Sequence, residues 1–159
     1  MSFTIVPERP QDAALISPLL DRTFGFDRIR KTVYRLREHL DPLPELSFSA
    51  VADDDGFLAS IRYWPIAIAG TPAILLGPLA VEPALQGRGI GKALVRHSLE
   101  AAQQAGHRIC VVVGDPSYYR PFGFIPASGQ GLSLPGPVEP ERFQVKALVP
   151  GALVGVHGV

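Results

Sequence analysis

The chain has 159 residues, 47% of them hydrophobic and 19% charged, and its 15 basic and 15 acidic side chains cancel. This balance excludes a disordered chain and predicts one globular domain over 1–159, large enough for its own core. Zero net charge gives no general pull toward nucleic acid or an anionic membrane. The single cysteine, Cys110, excludes an internal disulfide and fits a reducing cytoplasm. The start MSFTIVPERPQD lacks the basic and apolar stretches of an export signal. No apolar run approaches the ~20 residues of a membrane helix.

In chain order, FTIV (3–6) reads as a first strand. DAALISPLLDRTF follows as a helix with Leu15, Ile16, Leu19, Leu20 and Phe24 on one side. Pro18 interrupts it: either the helix kinks there, or Ser17 caps a helix whose first position is Pro18. Residues 27–40 form an amphipathic helix, with Ile29, Val33, Leu36 and Leu40 at helical spacing. The basic residues Arg28, Arg30, Lys31, Arg35 and Arg37 ride on it. LSFSAVAD alternates as a strand, Asp53–Gly56 turns, and FLASIRYWPIAIAG returns as a strand interrupted at Pro65. Residues 71–83 are a further strand with Gly77-Pro78 in its middle, a mark of a bulge or of a close backbone approach. A helix over about 89–105 ends at Gly106. RICVVVG (108–114) is a strand apolar on both faces, DPSYYRPFGF a short helix, and RFQVKALV (142–149) a last strand. The order predicts an α+β fold with about four helices and a mixed, mostly antiparallel sheet. Its one parallel crossover runs from 73–82 through the long helix to 109–113.

The chemistry concentrates in PALQGRGIGKALV (83–95), where Gly87, Gly89 and Gly91 alternate around Arg88 and ahead of Lys92. A helix N-terminus carries unpaired N–H groups and about half a positive charge, so bare backbone there suits a pyrophosphate. A P-loop fails: Gln86 stands where its first glycine belongs and Ala93 where its hydroxyl belongs. A dinucleotide fingerprint fails as well, its third glycine falling one residue early. The aspartates at 53–55 lack the alternate spacing of a calcium loop, and the histidines at 39, 97, 107 and 157 lack zinc spacing, so no metal is expected. Cys110 reads as buried filler.

Gln86-Gly87-Arg88-Gly89-Ile90-Gly91, preceded by Val81-Glu82-Pro83 at a strand end, resembles the acyl-CoA motif of the GNAT superfamily of N-acetyltransferases. YRPFGF adds that family's Tyr-x-x-x-Gly-Phe through Tyr119, Gly123 and Phe124. The wider GDPSYYRPFGF is similar to a small stand-alone bacterial subgroup. The early asparagine of the commoner pattern is missing, with Asp115-Pro116-Ser117 in its place. The resemblance implies a sheet splayed at a cofactor cleft between the strands ending near Val81 and Val113. It implies acetyl-CoA as donor, its pantetheine arm on the backbone of Leu79, Ala80 and Val81. Gln86, Gly87, Arg88, Gly89, Ile90, Gly91 and Lys92 would hold the pyrophosphate.

The reaction implied is acetyl transfer to a primary amine of a small molecule or peptide, by direct attack on the thioester. A backbone N–H near Val81 would meet the oxyanion, and Tyr119 would protonate the leaving thiolate. Tyr118 competes, its hydroxyl turned by about 100° on a helix. Glu82, Glu45, Asp115 or a water chain could take the amine's proton. Phe24, Phe26, Tyr34, Tyr63 and Trp64 would line an acceptor pocket or pack in the core. The apolar C-terminal strand region could pair with a second subunit as a homodimer. The alternative is a non-catalytic acyl-CoA sensor, which would keep the glycines but need no acid.

Overall fold

The computed structural model describes residues 2–24, 40–132 and 140–156. β1 (Phe3–Pro7), β2 (Phe48–Ala52), β3 (Phe57–Ile68) and β4 (Thr71–Val81) pair in succession, all antiparallel. β5 (Ile109–Val113) runs parallel to β4 and antiparallel to β7 (Phe143–Ala147), beside which lies the short β6 (Ile125–Pro126). The order across the sheet is β1-β2-β3-β4-β5-β7-β6. Three α-helices fall among the described residues, against about four expected: α1 (Ala13–Phe24), α2 (Ile90–Gln104) and the single turn α3 (Pro116–Tyr119). The expected helix over 27–40, with its basic run, lies outside the described residues except for Leu40, which is exposed and in no helix; Phe26, Tyr34 and the side chain of Phe24 lie outside them too.

α2 spans the parallel crossover. Ile90, Leu94, Val95, Leu99 and Ala102 recur at helical spacing and are buried against Phe48, Ile61, Leu76 and Val112 of the sheet. Each of these side chains except that of Ala102 contributes about 1.5–3 kcal/mol through burial. The opposite sheet face takes α1, whose Ile16, Leu19 and Leu20 cluster with Ala80 of β4. Alternation along β5 explains its unbroken apolar run. Cys110 and Val112 enter the α2-side core, while Ile109 and Val111 enter a second one closed by Ala152 and Val156.

Three local expectations are corrected. Of the two readings of Pro18, the one with Ser17 as cap falls, because α1 starts at Ala13 and carries Pro18 inside it. Its start is set upstream, where the Asp12 carboxylate accepts the Arg9 backbone N–H at 2.9 Å and pairs with the Arg9 guanidinium at 2.8 Å. Leu15 is 44% exposed, at the margin of the buried stripe. β3 passes through Pro65 unbroken, because β2 pairs only with Phe57–Ile61 and no described strand lies beside Pro65 on that side. The register shifts of β3 fall elsewhere, at Leu58 against β2 and at Arg62 against β4.

Candidate active site

The site is built where β4 and β5 part. Their parallel register runs Ile74↔Cys110, Leu75↔Val111, Leu76↔Val112 and goes no further. Beyond it β4 stays with β3, through Leu79↔Ile61, Ala80↔Ser60 and Val81↔Ala59, while β5 stays with β7. The Gly114 N–H, donated to the Arg142 carbonyl at 2.9 Å, continues that second alliance. A bulge causes the divergence. Between Ile61↔Leu79 and Tyr63↔Leu76, β3 passes one residue, Arg62, while β4 passes two, Gly77 and Pro78. The Gly77–Pro78 peptide bond is cis. The irregularity expected at Gly77-Pro78 is therefore present. The edge of Leu79, Ala80 and Val81 that would face β5 has no strand partner among the described residues.

The glycine-rich turn closes the mouth of this cleft. A 3-10 turn over Pro83–Leu85 follows Glu82, and the Gln86 side-chain amide reaches back to the Val81 carbonyl at 3.4 Å. Gly87 (φ +83°) and Gly89 (φ +84°) are left-handed, Gly89 as the N-cap of α2. Side chains there are strained, although a Cβ at either would meet no protein atom within 4 Å. Gly91 is bare for a different reason. A Cβ on it would lie 2.7 Å from the Tyr118 hydroxyl, with Val81 and Leu79 side chains at 3.5 and 3.8 Å. The first N–H groups of α2 thus open beside two exposed cations, Arg88 and Lys92.

Both candidate tyrosines lie on α3, the turn that follows β5, but only the Tyr118 hydroxyl is seen beside the glycine turn. Asp115 caps α3, accepting the Ser117 N–H at 2.9 Å and its hydroxyl at 2.8 Å, and these bonds hold its carboxyl below the usual range. Tyr119 is buried. Its ring packs edge-on to Phe124 at 5.7 Å and so tightly on Gly114 that a Cβ there would stand 2.5 Å from it. Burial first, then Tyr118 and Cys110, push its phenol well above the ordinary value, so it holds its proton at neutral pH. Tyr118 is half-buried, its phenol raised by burial alone, and its hydroxyl sits over Gly91 beside the β4 end.

The carboxylates named as bases separate. Glu45 is 3.9 Å from His107, beyond the C-terminal end of α2. That end lies about 22 Å of helix from the glycine turn. Asp115 serves as a cap, and Glu82 pairs with Arg22 of α1 at 2.6 Å. Tyr63 is core, its hydroxyl 2.7 Å from Ser98. Trp64 instead donates its indole N–H to the Gly77 carbonyl at 2.6 Å. Sequence reasoning missed that contact, because a bond from one strand to a bulge on the next leaves no local pattern.

Parted parallel strands, a glycine turn opening a helix at their mouth and a tyrosine-bearing turn across from it define the class. Residues 45–126 match the acetyltransferase (GNAT) domain, and the chain belongs to that family of N-acetyltransferases. It is 34% identical to the uncharacterized N-acetyltransferase YhbS of Escherichia coli K12 over 154 residues, 96% of this chain and 91% of YhbS. It is similar to the crystal structure of YhbS from Escherichia coli in complex with CoA (TM-score 0.83, 32% identity, 98% of this chain and 87% of that one). A GNAT family acetyltransferase from Brucella melitensis, in complex with acetyl-CoA, is also similar (TM-score 0.67, 33% identity, 94% and 90%).

Proposed function

We propose that the chain, as one domain over 1–159, transfers an acetyl group from acetyl-CoA to a primary amine of a small molecule or peptide. The end of β4–β5 pairing after Leu76↔Val112, with the glycine turn at the mouth of the gap, carries this reading. The backbone of Leu79, Ala80 and Val81, whose edge toward β5 has no strand partner among the described residues, would receive a pantetheine arm. The turn from Gln86 to Lys92 offers N–H donors and two cations to a pyrophosphate. CoA and acetyl-CoA in the Escherichia coli and Brucella melitensis structures support the same donor here. The lone buried thiol, Cys110, is compatible with a cytoplasmic setting.

The chemistry follows from these groups. A neutral amine attacks the thioester carbonyl, a backbone N–H near Val81 meets the oxyanion, the C–S bond breaks as Tyr119 gives its proton to the departing thiolate, and water takes the proton that the amine nitrogen sheds and restores the phenol. Burial keeps that phenol protonated at neutral pH, the state an acid needs, although it also makes the proton harder to give up. The Tyr118 hydroxyl over Gly91 favours a second assignment, in which Tyr118 is the acid.

Thiol release from acetyl-CoA across a panel of amines tests the reading. Tyr119→Phe is expected to lower turnover about 10²-fold or more while CoA binding persists. If Tyr118→Phe alone abolishes turnover, the acid is Tyr118. Tight CoA binding with no turnover on any amine would favour a non-catalytic acyl-CoA sensor.

A further inference from the structure

We propose that Trp64 is a positioning residue for the donor cleft, its indole N–H on the Gly77 carbonyl fixing the bulge that parts β4 from β5. This rests on the reading of that cleft as the acetyl-CoA site. Three observations carry it. Gly77 has no register partner in either ladder, and it follows directly on Leu76, the last residue of β4 paired with β5. Trp64 stands opposite Leu75, so its side chain reaches along the same sheet face to a residue two further on. The bond is short, 2.6 Å, and the indole can only donate.

A main-chain carbonyl released from a ladder needs another donor. Here a side chain supplies it, and the carbonyl is held where the strands begin to part. The other side of the bulge is fixed as well. Arg62, the residue that β3 passes over, makes a two-pronged pair with Glu8 at 2.8 and 2.9 Å. Trp64 thus holds the bulge itself while the Arg62–Glu8 pair ties down the strand opposite it, and the edge of Leu79–Val81, without a strand partner among the described residues, keeps its distance from β5. Without the indole N–H, the Gly77 carbonyl has to find water or a neighbouring strand, and that edge shifts.

Trp64 is the chain's one tryptophan, so its indole N–H gives a single, assignable NMR signal. That proton is expected to exchange with water roughly tenfold or more slowly than a free indole. CoA binding is then measured by calorimetry for the wild type, Trp64→Phe and Trp64→benzothienylalanine, which keeps both rings and loses only the N–H. Both variants are expected to bind CoA about tenfold more weakly, the scale of one lost hydrogen bond. Tyr63→Phe, which removes the neighbouring core bond to Ser98, serves as the stability control and is expected to leave CoA affinity unchanged once folded. An indole exchanging at the free rate, or benzothienylalanine binding CoA within twofold of wild type, overturns the proposal. Failure of the wild type to bind CoA overturns the donor reading and this one with it.

Discussion

Gly91→Ala separates the two reasons for glycine in the acyl-CoA turn. The new Cβ would stand 2.7 Å from the Tyr118 hydroxyl, a distance real Cβ atoms do not keep, so the phenol must move by about half an ångström. Its room is limited by Tyr119 at 5.0 Å and Phe122 at 6.0 Å. Overpacking of this kind costs about 1–3 kcal/mol. Alanine in a helix returns about 1 kcal/mol. The net expectation for Gly91→Ala is a destabilisation of about 0–2 kcal/mol, read by denaturant titration. In a Tyr118→Phe background the colliding oxygen is gone, and the same change should stabilise by about 0.5–1 kcal/mol. The double-mutant cycle should therefore show a coupling of about 1–3 kcal/mol. Gly87→Ala and Gly89→Ala, which suffer from backbone conformation, should each cost about 1–2 kcal/mol in either background. A Gly91–Tyr118 coupling below about 0.3 kcal/mol would refute the steric account.

The donor half of the molecule was legible because its signals are local. Three glycines in five residues, Val81-Glu82-Pro83 ahead of them and YRPFGF after the next strand lie within short windows, and each fixes backbone shape or a close approach. The Gly77-Pro78 bulge was legible for the same reason. Pro18 and Pro65 misled, since propensity reads a proline without its neighbours. Asp12 had already started the helix before Pro18, and Pro65 came on a part of β3 that β2 does not cover. The pairing of β6 with β7, the contact of Tyr118 with Gly91 and the bond from Trp64 to Gly77 all join distant segments, and no periodicity encodes them. The motif spacing that singled out Tyr119 carries no information on where the Tyr118 hydroxyl points. The acceptor was the least legible part, because nothing in a donor motif constrains what lies on the other side of the thioester.

Three further outcomes follow from packing and charge. Gly114→Ala, whose Cβ would meet the Tyr119 ring at 2.5 Å, should destabilise by about 1–3 kcal/mol and lower turnover by displacing the phenol, checked by melting and thiol-release assays together. Cys110, whose thiol burial pushes far up, should resist iodoacetamide at pH 8 in the native protein and react on unfolding; labelling of the native protein at the unfolded rate would contradict its burial. The acid limb of stability should depend on Asp12. Burial alone would raise its carboxyl, but hydrogen bonds from the Arg9 side chain and backbone outweigh it and leave it below the usual value. A carboxyl so lowered binds its proton more readily in the unfolded chain than in the folded one. Its contribution is therefore complete above about pH 5 and fades as the pH falls through 4 and below. Asp12→Asn should lower the melting temperature at pH 7 and flatten its decline between about pH 5 and 2. The same decline in Asp12→Asn as in the wild type would assign the acid sensitivity to other carboxylates, although Arg9 ties that of Asp12 through both its backbone N–H and its guanidinium.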